Sequence, residues 1–154
     1  MLLLNEGLLL TIQNLIVQHH TSYPNLPPQG IYFEALVQRA FHLCGRPDVQ
    51  VVAAVPNAPS FDLRIGNQRL SIKTETGRST HPKLITITKL CTTEKEPWTA
   101  QTLIERVMRH LSRYDYMLML RALWPPAQPV VHYQLLEIPL DLLRRIGEAE
   151  IGPV

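Results

Sequence analysis

The stretch Ser60-Phe61-Asp62-Leu63-Arg64-Ile65-Gly66-Asn67-Gln68-Arg69-Leu70-Ser71-Ile72-Lys73-Thr74-Glu75 decides how this chain is read. Gly66-Asn67 suits a two-residue hairpin turn, because glycine takes a positive φ at the first central position without a steric cost. With that turn Ile65 faces Gln68, Leu63 faces Leu70 and Phe61 faces Ile72. Side chains alternate across a strand, so Phe61, Leu63, Ile65, Leu70 and Ile72 share one apolar face. The opposite face carries Ser60, Asp62 and Arg64 on one strand and Arg69, Ser71 and Lys73 on the other. Asp62 then lies across from Ser71. Lys73 is its diagonal neighbour, roughly 7–8 Å away between backbones and within reach of a long side chain.

A carboxylate and an ammonium can converge on one point in this register. A hard divalent cation needs oxygen ligands, and Asp62 supplies one. Such a cation polarises a phosphate and stabilises transition-state charge, while Lys73 holds or helps deprotonate an attacking water and counters charge on the phosphate. The competing reading is a solvated hairpin with an ordinary cross-strand ion pair, which contributes little to stability.

Working outward, thirteen prolines punctuate the chain. Gly7 to His20 reads as a helix with Leu9, Ile12, Ile16 and Val17 at helical spacing, and Pro24, Pro27 and Pro28 force a loop after it. Ile31 to Leu43 is a second helix, ended by Gly45 and Pro47. The period then changes: Val49 to Val55 fits a strand, Pro56 to Pro59 a turn, and Phe61 to Ile65 and Leu70 to Glu75 alternate. Leu84 to Leu90 is β-branched and reads as another strand. Pro97-Trp98-Thr99 introduces a helix over Ala100 to Arg113, and Tyr116 to Leu123 is a continuous apolar run, the pattern of a buried strand. Val130 to Ile138 is a last strand and Leu140 to Ile146 a closing helix. Antiparallel strands followed by a helical crossover imply a central mixed β-sheet flanked by helices, an α/β chain of three layers. The 154 residues suit one domain, with residues 1–29 as an N-terminal helix and proline-rich linker and residues 30–146 as the core.

The composition is that of an ordinary globular chain, 45% apolar and 18% charged. No apolar run is long enough to span a bilayer, and Met1 to Leu10, broken by Asn5 and Glu6, lacks the features of a signal peptide. Cys44 and Cys91 are too few and too far apart for a metal knuckle, and as two reduced thiols they point to the cytoplasm. No pair among the six histidines has zinc-ligand spacing with a third ligand nearby. The glycines are isolated, so there is no phosphate-cradling loop and no organic cofactor is expected. Trp98 and Trp124 sit beside prolines as packing anchors. The net charge of +2 permits nucleic-acid binding without arguing for it.

The hairpin and its surroundings resemble the PD-(D/E)xK nuclease superfamily, which includes most type II restriction endonucleases. Asp62 matches the aspartate of that signature, and Ser71-Ile72-Lys73 occupies its acidic-x-Lys position. The preceding helix, Gly30-Ile31-Tyr32-Phe33-Glu34-Ala35-Leu36-Val37, offers Glu34 where such nucleases often place a glutamate facing the metal. The resemblance covers roughly Gly30 to Ile138. It implies a restriction endonuclease-like core, hydrolysis of DNA phosphodiester bonds with Mg²⁺ or Mn²⁺, double-stranded DNA as substrate, and a homodimer to cut both strands. Asp62, Lys73, Glu34 and Ser71 are the implied catalytic set. Because Ser71 stands in place of the second acid, a carboxylate must come from elsewhere. Glu34 is preferred over Glu94, Glu96 and Glu105. Glu75, on the same strand face but roughly 13 Å further along, completes the candidate metal ligands with Asp62 and Glu34.

Two segments offer DNA contacts. Thr76 to Lys83 is a polar, basic loop in which Arg78, Ser79, Thr80, His81 and Lys83 suit phosphates or base edges. On the third helix Arg106, Arg109, His110 and Arg113 recur at three- and four-residue spacing and share a face that can track a phosphate backbone. Solvated basic surfaces are the competing explanation for both. A nuclease-like binding or assembly module without chemistry is the alternative function, because Ser71 has displaced an acid.

Overall fold

The computed structural model describes residues 2–52, 61–85, 97, 99–127, 130–150 and 152. Helix α1 (Glu6–Ser22) starts where the Asn5 side chain accepts the Leu8 N–H, and its Leu8, Ile12 and Ile16, four residues apart, face inward. Helix α2 (Ile31–Leu43) has the expected bounds and buries Phe33, Val37, Ala40 and Phe41. Strands β1 (Gln50–Val51), β2 (Leu63–Ile65) and β3 (Gln68–Glu75) follow, then α3 (Ala100–Leu111), β4 (Tyr116–Leu123), β5 (His132–Glu137) and α4 (Leu140–Arg144), which tightens into a 3₁₀ turn over Arg145–Glu148.

The five strands lie in sequence order, and every neighbouring pair is antiparallel except β3 and β4. Those two are parallel, as strands joined by a helical crossover through α3 must be in this order. The helices cover both faces. Leu8, Ile12 and Ile16 of α1 and the buried side of α2 pack on Leu63, Ile65, Leu70, Ile72, Leu118 and Leu120. On the other face Val107 and Leu111 of α3 and Leu140 of α4 meet Met117 and Met119. Strand β4 is therefore buried on both sides from Met117 to Ala122, which is what its unbroken apolar run required. The result is α/β in three layers. The N-terminal segment belongs to the same core, and the Leu3 and Leu4 amides both donate at 2.8 Å to the Glu137 carboxylate of β5. Among the described residues no helix is long and apolar enough to cross a membrane.

The structure departs from the sequence reading in places. Of the strand expected over Val49 to Val55, Gln50–Val51 is paired, and residues 53–60, with the turn expected at Pro56 to Pro59, lie outside the described residues. Leu84 and Ile85 are not in a strand, and residues 86–90 of that expected element lie outside the described residues, as do Glu94 and Glu96. Phe61 is not on the apolar face of the hairpin with Leu63; it packs against the α3 cluster on the other face.

Candidate active site

The displacement of Phe61 has a local cause. The hairpin register is the one its turn predicts, Ile65 opposite Gln68 and Leu63 opposite Leu70, with Gly66 at φ +59°. In an unbroken ladder both backbone groups of Asp62 would point to β1. Its carbonyl does so, accepting the Val52 N–H at 2.9 Å, but its own N–H turns to the Leu70 carbonyl at 2.9 Å. Asp62 and Leu63 thus both face Leu70, a β-bulge that twists the strand and re-aims the side chains before it. The Asp62 carboxylate swings onto β3. Its Oδ2 accepts the Ile72 N–H at 2.6 Å and the Ser71 hydroxyl at 3.3 Å. An Ile72 amide that a regular ladder would give to a β2 carbonyl is capped by a side chain instead.

The bond to Ser71 puts Asp62 on the same sheet face as Lys73. Ser71 pairs with Met117 and Lys73 with Met119 across the parallel register, and both methionines pack against α3. Glu34 arrives from α2. The start of that helix is seated on the end of β3 by the Gly30 N–H donating to Thr74 Oγ1 at 3.3 Å and the Thr76 hydroxyl donating to Gln29 Oε1 at 2.8 Å. Glu34, in the first turn, feels both other charges. Burial and then the negative charge of Asp62 push its carboxyl above the ordinary range, and Lys73 pulls it back. Burial also raises Asp62, against the Ile72 N–H, the Lys73 charge and the Ser71 hydroxyl.

Among the described residues the Lys73 and Glu34 side chains form no ion pair or hydrogen bond, and Asp62 Oδ1 is without a partner. An ordinary cross-strand ion pair is therefore not what the hairpin carries. Two half-buried carboxylates repel each other beside an ammonium that neither grips. That arrangement costs stability in isolation. It fits a small hard cation, which takes one or two carboxylates and completes its shell with water and substrate phosphate. No group of three or more His, Cys, Asp or Glu side chains able to hold a metal occurs among the described residues, so Asp62 and Glu34 are the donors available at this position.

Glu75 does not join them. Its Oε2 accepts from Arg121 Nε at 2.8 Å, with side-chain exposures of 11% and 3%, so its charge is spent on a buried ion pair. Glu105 is exposed and accepts from Gln101. The 76–83 loop is built on the same arginine, whose Nη2 donates to the carbonyls of His81 and Leu84. Arg78 is exposed and lies 4.5 Å over the Trp124 ring, itself fixed by its indole N–H on the Thr76 carbonyl. Ser79, His81 and Lys83 are exposed, and the Thr80 hydroxyl donates to the Gly77 carbonyl. A cleft of about 620 Å³ lies beside this loop, lined by Thr80, Pro82, Trp124, His132, Tyr133 and Gln134 among others. The basic stripe expected on α3 divides: Arg109 is exposed and Arg113 half-buried, but Arg106 and His110 turn into the protein at 8% and 4% exposure. Amphipathic packing, with Val107 and Leu111 in the core, draws their flanking positions inward.

A mixed α/β sheet that brings an aspartate, a lysine and a helix-borne glutamate to one end of its hairpin is compatible with the restriction endonuclease-like core. The chain is similar to the type II restriction enzyme SmaI of Serratia marcescens, at 29% identity over 93 residues that make up 60% of this chain and 37% of that enzyme. It thus spans little more than a third of the length of that relative. No protein-family model matches the chain, and no solved structure does. The likeness is distant, and it is to a restriction endonuclease.

Proposed function

We propose that this chain is a metal-dependent endonuclease of the type II restriction kind, hydrolysing phosphodiester bonds of duplex DNA at a short sequence. The observation that carries the reading is the cluster of Asp62, Glu34 and Lys73, three charges that act on one another without pairing. Asp62 Oδ1 and the Glu34 carboxylate would hold Mg²⁺ or Mn²⁺, which when bound supplies Lewis-acid stabilisation of the phosphate. Ser71 and the Ile72 amide keep Asp62 in place through Oδ2. Lys73, whose ammonium has no ion pair among the described residues, orients the attacking water and offsets charge on the scissile phosphate. Arg78, Ser79, His81 and Lys83 on the loop after β3, with Arg109 on α3 and Arg113 in the turn that follows it, contact the DNA backbone. A twofold homodimer would cut both strands of a palindrome.

Plasmid nicking in Mg²⁺ or Mn²⁺ tests this. Asp62→Ala and Lys73→Ala are each expected to lower cleavage by about 10²–10⁴-fold while leaving DNA binding in place. Ser71 favours a second reading, a nuclease-like DNA-binding or assembly module: it is fully buried and gives Asp62 a hydroxyl where an acid would stand. Salt-sensitive binding with no cleavage in either metal would select the module.

A further inference from the structure

The cleft beside the 76–83 loop serves neither the fold nor the proposed chemistry. It holds about 620 Å³, within the range of sites for small organic groups, and Thr80, Pro82, Trp124, His132, Tyr133 and Gln134 line it. Its wall is mostly apolar and aromatic, and no acidic side chain occurs among its described lining residues. Trp124 is half-buried, and its indole N–H donates to the Thr76 carbonyl at 3.1 Å, which fixes the ring. Arg78 covers one face of that ring at 4.5 Å and does not line the cleft, so the cleft meets the indole on another side. Gln134 is oriented as well. Its Oε1 accepts from Arg121 Nη1 at 3.0 Å, which leaves the two Nε2 hydrogens as the free end of the amide. Arg78 and Lys83, both exposed, belong to the same loop as Thr80 and Pro82, so cations stand beside an apolar wall.

We propose that this cleft takes one unpaired nucleobase of a DNA strand, stacked on Trp124 with its edge toward the Gln134 amide and its phosphates beside Arg78 and Lys83. The idea rests on the DNA substrate of the reading above. Bases of any sequence stack on aromatic side chains, and a fixed indole beside the Tyr133 phenol gives a planar ligand a surface that needs no ordering. Cations at the rim and no acid in the wall favour an anionic strand over a neutral or cationic ligand. The Gln134 amide, its oxygen held by a guanidinium, offers donors alone, which meet the carbonyl and ring-nitrogen acceptors of a base edge. The placement agrees with the proposed chemistry. Thr76, to which Trp124 is tied, lies three residues past Lys73, about 10 Å at the rise of a strand. Its hydroxyl also donates to Gln29 just ahead of α2, the helix of Glu34. A base gripped in the cleft would therefore anchor the strand beside the cluster of Asp62, Glu34 and Lys73.

Binding is measured without divalent metal, so that cleavage plays no part. The probe is an oligo(dT) of about twelve nucleotides, whose bases need not leave a helix to enter the cleft. Trp98→Phe leaves Trp124 as the one tryptophan of the chain, and its emission should be quenched as the probe is added, because a stacked base quenches an indole. Anisotropy of the labelled probe should show affinity lowered roughly 5–100-fold in Trp124→Leu and close to wild type in Trp124→Phe. Both substitutions free the Thr76 carbonyl, so the loop anchor is lost equally and only the aromatic ring distinguishes them. Equal weakening in the two variants would assign Trp124 to the loop anchor, and emission that changes with protein concentration in the absence of DNA would give the cleft to a second copy of the chain. Either result overturns the proposal. If duplex DNA binds and oligo(dT) leaves the Trp124 emission unmoved, the cleft loses its base and the nuclease reading stands. If neither duplex nor single strand binds, the DNA substrate falls and takes the cleft's role with it.

Discussion

Replacing Arg121 by methionine should destabilise the protein more than most single substitutions. Arg121 is 2% exposed and donates four hydrogen bonds, through Nε to Glu75, Nη1 to Gln134, and Nη2 to the carbonyls of His81 and Leu84. Methionine keeps much of the packing volume but leaves the Glu75 carboxylate buried without a counter-ion. Removing one partner of such a pair costs about 3–5 kcal/mol, because the remaining charge has no solvent to return to. For a chain of this size each kcal/mol moves the melting temperature by roughly 2–4 °C, so the midpoint should drop by roughly 6–20 °C. Thermal melts and urea titrations of wild type, Arg121→Met, Glu75→Leu and the double variant close a cycle. The double variant, with no buried charge left, should recover most of the loss. A single variant within about 2 °C of wild type, or a double no better than the single, would refute the view that this pair is desolvated. Hydrogen exchange in residues 77–84 should quicken in Arg121→Met alone, since that loop loses two of its backbone anchors.

Gly66→Val should lower stability by about 1–2 kcal/mol in urea unfolding, because φ is +59° there and no neighbour lies within 4 Å of an added Cβ; the cost is conformational and not steric crowding. The depressed pKa of His110 makes a pH prediction with a definite sign. The unfolded ring titrates near 6.5 and the folded one at about 4, so stability is fully present above pH 6.5 and falls as pH drops toward 4, by about 3 kcal/mol across that window. His110→Leu should remove this component, seen as a flatter difference in urea midpoint between pH 7 and pH 4.5. For DNA binding, Arg78→Ala and Lys83→Ala should each reduce the slope of log affinity against log salt by about 0.9 if they contact phosphates. Arg106→Ala should leave the slope alone and lower the melting temperature, since that side chain is buried.

The hairpin was legible because its turn residues and its alternation constrain one another. Gly66-Asn67 sets the register, and the register places Asp62 beside Ser71. The bulge was not legible: nothing in Phe61-Asp62-Leu63 distinguishes an amide that bonds β1 from one that turns to Leu70. Its consequence, Phe61 on the α3 face, follows from tertiary packing. Helix α2 was read to the residue because Gly30 and Gly45 bracket a clean apolar stripe. The α3 stripe misled because arginine and histidine count as polar in any periodicity, though long stems and rings are often drawn into a core. Arg121 interrupts an otherwise apolar buried strand, which demands a carboxylate, and parallel pairing with β3 sets Glu75 directly beside it. Paired in this way, Glu75 is taken up by Arg121 and is not open to a metal.

The serine at position 71 changes what the rest of the site must do. A carboxylate there would add a third buried negative charge beside Asp62 and Glu34, whose pKa values burial already raises. It could not donate a hydrogen bond to an ionised Asp62, whereas the Ser71 hydroxyl does. Serine therefore acts as an orienting donor on Oδ2, and in the proposed site Oδ1 is the atom left for the cation. In the proposed site the second anionic ligand comes from another element, Glu34 of α2, which packs on the apolar face of the sheet and is tied to the end of β3 by the bonds of Gly30 and Thr76. On that proposal, completing the site depends on how α2 docks on the sheet. Where the acid sits on β3 itself, the hairpin alone would suffice. In this chain the proposed chemistry and the packing of the first layer on the sheet are one equilibrium.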